Sequence, residues 1–521
     1  MRYGAFSCIV KEKGRKGITM EQFITVLPEG RKIAAQRGEI LLHVLRAHGL
    51  APDAPCGGAG KCGKCTVLVD GEAVRSCRYK VTEDVTVRLI AKEDTTRVLT
   101  QGAGTDAEID PWQEGHMLAY DIGTTTVVCY LLQKDTGAVL AVCSAVNPQQ
   151  SFGADVISRI QAALGGEREA LTGLIRREMT ALMHKVCEEA GIGPQEIGVV
   201  SVVGNSCMQQ LFLGLEVENL ARIPFAPVLN RGTVADAKTY LPDCVNAKLL
   251  IVPDIGGFVG ADTVGCVLAT RIDHAESIIL MVDIGTNGEM VLGNRNRMVA
   301  CSAAAGPALE GAGILFGMRG AEGAIDHVWL EEGAIRCSVI GGGKAVGICG
   351  SGLIDAVALL VETGLVNRRG RLQSREQAAV LQAHLREVDG QRVFDLLDGV
   401  YLTQGDIRQV QLAKGAIAAG IELMAAHLGV PVDDIHQVLL AGAFGSFINP
   451  ENACRIGLLP PALANRIEAV GNAAGSGARR LACSRQELQR AQDIVEKVEF
   501  LELAALPDFQ MCFAGNMGFE P

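Results

Sequence analysis

Apolar residues in this chain come in short runs that either alternate with polar positions or stop at a glycine. Strict alternation over residues 23–27 (FITVL) predicts a half-buried strand. A second strand falls near residues 32–35. Residues 40–48 space their apolar positions as an amphipathic helix that ends at Gly49. Strands follow at residues 66–69 and 85–90. Residues 92–115 are polar, with Gly, Asp and Pro and no periodicity. That pattern predicts a flexible linker over 93–115 between a domain at 20–92 and the remaining chain, 116–521. Residues 1–19 hold a basic cluster (Lys11, Lys13, Arg15, Lys16) and little apolar pattern. They are expected to be a disordered extension, with Met20 as the natural start.

From His116 onward the pattern repeats itself. Residues 118–120 lead into Asp121-Ile-Gly-Thr-Thr-Thr and an apolar run at 127–132. Residues 278–282 lead into Asp283-Ile-Gly-Thr-Asn-Gly-Glu and an apolar run at 290–292. A second echo follows. Gly191-Ile-Gly-Pro-Gln-Glu-Ile runs into 199–203 and Gly204-Asn205. Gly429-Val-Pro-Val-Asp-Asp-Ile runs into 438–441 and Gly442-Ala443. Both pairings, 191 with 429 and 204 with 442, keep one spacing. Helical stretches at 171–190 and 412–428 precede them. The expectation is two similar α/β lobes, about 116–275 and 276–521, facing a cleft.

Two stretches carry candidate chemistry. The first is residues 55–78 (PCGGAGKCGKCTVLVDGEAVRSCR), where Cys56, Cys62, Cys65 and Cys77 fall as C-x5-C-x2-C-x11-C. Iron–sulfur clusters need thiolates converging on a compact centre with amide N–H groups nearby. Gly57, Gly58, Gly60 and Gly63 let a short loop bend around such a body. The spacing approaches the plant-type ferredoxin run and predicts one [2Fe–2S] site. A four-cysteine zinc site is the competing chemistry, and it usually shows paired C-x2-C motifs. Strand, strand, helix, loop and strands in this order match a β-grasp ferredoxin.

The second is the pair of turns. At an Asp-x-Gly-Thr strand end, glycine lets backbone N–H groups approach phosphate oxygens. Threonine hydroxyls add donors, and the aspartate can orient a hydrated Mg²⁺. One such turn is an ordinary structural feature, whereas two at repeat-equivalent positions suggest a clamp for a polyphosphate. The stretch Ala441-Gly-Ala-Phe-Gly-Ser-Phe447 has small residues that could admit a flat adenosine. Glycine runs at 253–262, 301–311 and 347–355 fit tight helix packing and ligand contact equally well. Asp155 and Arg159, at i and i+4, read as a surface ion pair.

Composition narrows the class. A net charge of −11 argues against a nucleic-acid footprint. No apolar run reaches the roughly 18 residues of a membrane span. The 17 cysteines, scattered singly outside the loop, suggest reduced thiols in a cytoplasmic setting. Glycine contributes 62 of 521 residues, well above the usual fraction of about 7%.

The duplicated turns and residues 442–445 resemble the motifs of the acetate and sugar kinase, heat-shock chaperone and actin superfamily. Joined to Cys56–Cys77, they resemble the ATP-dependent reductive activators of corrinoid proteins, over about residues 20–521. The resemblance implies a β-grasp 2Fe-2S ferredoxin domain followed by a duplicated RNase H-like (actin-type) ATPase domain. It implies that Cys56, Cys62, Cys65 and Cys77 hold one 2Fe-2S cluster. It implies that Asp121, Gly123, Thr124, Thr125, Asp283, Gly285, Thr286 and Asn287 hold the phosphates and Mg²⁺ of ATP. Gly442, Ala443 and Phe444 would border the adenosine. Asp121 and Asp283 carry the catalytic expectation. The implied partners are a corrinoid protein of a methyltransferase system and a low-potential electron donor, with no nucleic acid and no membrane. A homodimer is compatible with this. The implied activity is reduction of Co(II) to Co(I).

Three other functions compete. An activator of a dehydratase-type enzyme would usually carry a [4Fe–4S] cluster and lack the ferredoxin loop. A small-molecule kinase with a redox-sensing appendage needs a catalytic base, and the sequence marks none. A chaperone-like ATP switch needs no cluster.

Overall fold

The computed structural model describes residues 21–28, 30–52, 65–89 and 107–519, with positions 54, 58 and 60 of the cysteine loop. Two compact units divide the chain, Met1–Lys92 and Glu93–Pro521.

In the first unit the alternating runs become a five-stranded sheet. Its elements are β1 (Glu21–Leu27), β2 (Arg31–Gln36), helix α1 (Leu41–Ala47), β3 (Thr66–Val69), β4 (Glu72–Arg75) and β5 (Val85–Arg88). The strand order is β2-β1-β5-β3-β4, with β1 antiparallel to β2 and parallel to β5. Period-two alternation decides the faces. Ile24, Val26, Val67 and Val87 turn inward onto Leu41 and Leu45 of α1, and all six are fully buried. Truncating Leu41 to alanine would cost roughly 3 kcal/mol. The chain leaves α1 through Gly49 at φ +70°, a left-handed conformation that favours glycine.

Residues 1–20 and 90–106 lie outside the described residues, and with them the expected extension, the start at Met20 and most of the expected linker. The linker's last part, 107–115, is anchored, contrary to expectation. The Asp110 N–H donates to the Cys483 carbonyl at 2.9 Å, and the Arg485 guanidinium pairs with the Asp110 carboxylate at 2.6 Å. Ala107 and Ile109 pack on the core. Arg485 lies 375 residues downstream, so local polarity could not announce this anchor.

The second unit carries the repeat. Its first half runs β6 (His116–Ile122), β7 (Thr126–Leu132), β8 (Val139–Val146), α2 (Val156–Ala162), α3 (Arg168–Ala190), β9 (Ile197–Gly204), α4 (Ser206–Leu213), β10 (Thr233–Asp236), β11 (Lys248–Ile251) and α5 (Ala261–Thr270). The second half opens with β12 (Ile279–Ile284), β13 (Gly288–Gly293) and β14 (Met298–Ala303). Two small sheets and two helices follow: β15 (Ala324–Glu331), β16 (Ala334–Val339), β17 (Gly347–Ile348), α6 (Gly350–Glu362), β18 (Leu385–Val388), β19 (Gln391–Leu397), β20 (Val400–Thr403) and α7 (Gln404–Leu428). The chain ends with β21 (Gln437–Ala441), α8 (Gly442–Gly445), α9 (Pro450–Arg455), β22 (Ile467–Gly471), α10 (Ala473–Cys483), α11 (Arg485–Lys497), β23 (Val498–Phe500) and α12 (Phe509–Gly515).

Each half builds a six-stranded sheet, ordered β10-β11-β9-β6-β7-β8 and β22-β21-β12-β13-β14-β23. In each, an antiparallel meander gains a parallel strand beside its first strand. That strand is β9 beside β6 and β21 beside β12. The 191–205 and 429–443 echoes are therefore equivalent strands of two like lobes. The lobes also exchange packing. Helix α10, near the end of the chain, lies against β6 and β9 of the first sheet and against α5. The two helices cross backbone to backbone: a Cβ on Gly477 would sit 2.1 Å from the Gly265 carbonyl oxygen. Only glycine allows that approach.

One sequence expectation is overturned here. Arg159 is not on the surface: its side chain is completely buried. Asp155 instead caps α2, accepting the Ser158 N–H at 2.8 Å. The i, i+4 spacing was real, but the face of the helix was chosen by contacts distant in sequence. Among the described residues no helix is long and apolar enough to cross a membrane.

Candidate functional site

The repeat brings its two turns to one cavity of about 310 Å³ between the lobes. The first turn links β6 to β7 and presents Gly123, Thr124 and Thr125. The second links β12 to β13 and presents Gly285, Thr286 and Asn287. Asp121 and Asp283, at the two strand ends, line the same cavity. So does Gly442, which opens α8 at φ +86°. A Cβ there would sit 2.3 Å from Asp283 Oδ1, so Gly442 is required by the aspartate it faces. The side chains of Ala443 and Phe444 lie outside the described residues. Phe447, from the same stretch, does line the cavity, together with the apolar Leu309, Met318 and Ile340.

Carboxylates dominate the opposite character of the cavity. Asp121 accepts the Asn472 side-chain amide at 2.9 Å. Burial pushes its carboxyl up to about 7; the Asn472 bond opposes this and the Asp283 charge adds to it. Burial pushes Asp283 up to about 6, opposed by the Cys266 thiol and assisted by the Glu310 charge. Asp262, in the first turn of α5, is pushed up to about 7 by burial and by the charges of Asp283 and Asp121; the Thr263 N–H, at 2.7 Å, works against this. Burial and the charges of Asp262 and Asp283 hold Glu289 well above the usual carboxylate range. Glu310 spans the lobes, accepting the Thr286 hydroxyl at 2.7 Å and the Thr125 hydroxyl at 3.3 Å.

Sequence reasoning missed Asp262, Glu289, Glu310 and Asn472. Asp262 and Glu310 lie inside glycine runs whose role was undecided, and Glu289 closes the second turn. For Asn472 a signal existed. Gly204-Asn205 and Gly471-Asn472 each end a parallel strand and cap the next helix. Each asparagine also donates into the first turn, Asn205 to the Thr124 hydroxyl at 3.0 Å and Asn472 to Asp121.

In the first unit, Cys65 and Cys77 are buried together against Leu42 and Ala54. Ser76 donates its N–H and its hydroxyl to the Cys65 carbonyl at 3.0 and 2.9 Å, fixing the approach to both thiols. Gly58 takes φ +95°, and a Cβ on it would meet Leu42 at 3.2 Å and the Cys77 Cβ at 3.8 Å. These described parts fit a bent loop around a compact centre. Cys56 and Cys62 lie outside the described residues.

Comparison with known proteins finds the same division of the chain. Residues 24–92 match the 2Fe-2S iron-sulfur cluster binding domain, 116–275 the RACo middle region, and 277–520 the C-terminal, ASKHA domain of RACo. The corrinoid activation enzyme RamQ of Eubacterium limosum is 31% identical over 583 residues, covering 94% of this chain and 97% of that enzyme. This chain belongs to the corrinoid activation enzyme family. Within it, the Methanosarcina barkeri reductase of the Co(II) methylated amine-specific corrinoid protein is 28% identical over 336 residues, 57% of this chain and 58% of that protein. A solved reductive activator for corrinoid, iron-sulfur protein superposes with a TM-score of 0.70 at 28% identity, covering 96% of this chain and 98% of that one. The family's architecture is thus a ferredoxin-type cluster domain followed by an actin-type nucleotide-binding domain.

Proposed function

We propose that this protein uses ATP to drive the one-electron reduction of a corrinoid protein from Co(II) to Co(I) in a methyltransferase system. The observation that carries this is one chain joining a 2Fe-2S domain to two like lobes whose turns meet across an acid-lined cavity. RamQ, a corrinoid activation enzyme similar over 94% of this chain, supports the corrinoid as partner.

Cys56, Cys62, Cys65 and Cys77 would hold a single cluster, which supplies a one-electron carrier near about −400 mV. Its electron would come from a low-potential donor and end on cobalt. Gly123, Thr124 and Thr125 face one side of the phosphates; Gly285, Thr286 and Asn287 face the other. Asp121 and Asp283 orient Mg²⁺. The described residues form no group of three or more His, Cys, Asp or Glu able to hold a metal directly. Mg²⁺ in nucleotide sites is usually carried by one or two carboxylates with phosphate oxygens and water. Asp262, poised near neutrality, can take the proton of an attacking water. Closure of the lobes on ATP, and release after hydrolysis, supplies the two states whose different affinities for nucleotide do the work. Outside Cys65 and Cys77 of the cluster site, the described cysteines are unbridged thiols, which supports a reducing, cytoplasmic setting.

The test is anaerobic. Protein, a Co(II) corrinoid protein and a low-potential donor are mixed with and without ATP, and the visible spectrum is followed. Co(I) should form only with ATP. Equal formation without ATP would overturn the proposal. Asp262 also gives the small-molecule kinase alternative the base it lacked in sequence. A phosphorylated small molecule, in place of free phosphate, would favour that reading.

A further inference from the structure

Behind the first turn lies an arrangement that the second turn does not have among the described residues. The carbonyls of Gly123, Thr124 and Thr125 are all drawn away from the cavity by side chains of one segment, residues 147–159. Asn147 Nδ2 donates to Gly123 O at 2.8 Å, Arg159 Nη2 to Thr124 O, and Gln150 Nε2 to Thr125 O at 3.0 Å. In a planar trans peptide the carbonyl and the following N–H point opposite ways. Pulling the Gly123 and Thr124 carbonyls back therefore turns the N–H groups of Thr124 and Thr125 forward. Neither N–H has an acceptor among the described residues. Two aligned donors at the wall of a cavity are what a phosphate oxygen needs.

Arg159 is the centre of this arrangement. Its guanidinium is fully buried and also donates to Gly153 O at 3.1 Å, Gln149 Oε1 at 3.3 Å and Met208 Sδ at 3.0 Å. All of these acceptors are uncharged, and Arg159 forms no ion pair among the described residues. Burial pulls it down to about 10, opposed by Cys207 and by the charges of Asp155 and Glu310, so it stays charged at neutral pH. These carboxylates act from beyond ion-pair distance, and a buried cation with no direct counter-ion is costly. A polyphosphate in the cavity would add negative charge on the far side of the turn.

We propose that Arg159, with Asn147 and Gln150, is a clamp that presets the first turn for polyphosphate and supplies the positive charge behind it. The clamp rests on the nucleotide reading above. Arg159 is a positioning residue, since it meets the backbone of the turn and not the ligand.

Titration calorimetry of the cluster-loaded, full-length protein with ATP and with adenosine separates this role from plain packing. Arg159→Met should weaken ATP about tenfold or more and leave adenosine unchanged. Arg159→Lys, which keeps the charge but not the forked geometry, should fall between. Asn147→Ala should show the same selective loss, and it carries the test if Arg159→Met does not fold. Unchanged ATP affinity in the variants would overturn the clamp. So would an equal loss of ATP and adenosine, which would mark a general packing defect. Failure of the unsubstituted protein to bind ATP would overturn the nucleotide reading itself.

Discussion

The two Asp-x-Gly-Thr turns look interchangeable in sequence and are held in different ways. The first is fixed from behind, by side chains of one segment on three successive carbonyls. Among the described residues no side chain reaches the backbone of the second. Its Gly285 N–H bonds to Asn287 O at 2.9 Å, and its Thr286 hydroxyl bonds to Glu310. Even the glycines differ. A Cβ on Gly123 would sit 2.8 Å from Thr126 O, whereas one on Gly285 would meet nothing closer than 3.8 Å. A duplicated strand end therefore fixes what faces the ligand, and the surrounding chain decides how rigidly. On the proposed reading the first turn is a preset donor, whereas the second is held by fewer contacts among the described residues.

The largest effect should come from the aspartates. Asp283→Asn should lower ATP turnover about 100-fold or more, because a carboxylate that orients Mg²⁺ on the reacting phosphates is lost. Asp121→Asn should match it within a few-fold, and a much smaller loss would make the lobes chemically unequal. Glu310→Gln comes next. It receives hydroxyls from both turns, so turnover should fall about tenfold, with adenosine binding unchanged.

A pH series sharpens the same point. Asp121 and Asp262 rise to about 7 and Asp283 to about 6 from an ordinary value of 3.8. The folded, nucleotide-free protein thus keeps protons that the unfolded chain has released. These groups stabilise most fully at low pH, and that stabilisation is lost as pH rises through 6 to 7. The unfolding temperature without nucleotide should fall from pH 5 to pH 8, and Asp262→Asn should flatten the fall. Mg²⁺–ATP affinity should rise over the same range. The smallest effect separates the threonines. Thr286→Ala should cost about 1 kcal/mol in ATP binding, and Thr125→Ala, with its longer bonds to Glu310, less.

Much of this was legible in the sequence. Alternation gave the ferredoxin-type strands, and two echoes, the second at one constant spacing, gave the like lobes. The turns announced which of their residues line the cavity because strand, aspartate, glycine and threonine are contiguous. What stayed hidden was non-local. Arg159 looks like half of a surface pair until the β6–β7 turn is folded over it. Asp262, Glu289 and Glu310 are scattered along the chain, and only the fold gathers them. Asp110 is anchored by a residue 375 positions away. Local periodicity reports which face of an element is apolar; it does not report which polar residues that face will meet.

Nucleotide turnover in the cleft, on the proposed reading, drives an electron from the cluster to cobalt. Electron paramagnetic resonance follows both centres in one sample. With the cluster chemically reduced and the corrinoid protein held as Co(II), adding Mg²⁺–ATP should remove the reduced-cluster and Co(II) signals together, one for one. A non-hydrolysable analogue should remove neither. Loss of both signals before nucleotide is added, or loss of the Co(II) signal while the cluster stays reduced, would contradict the account.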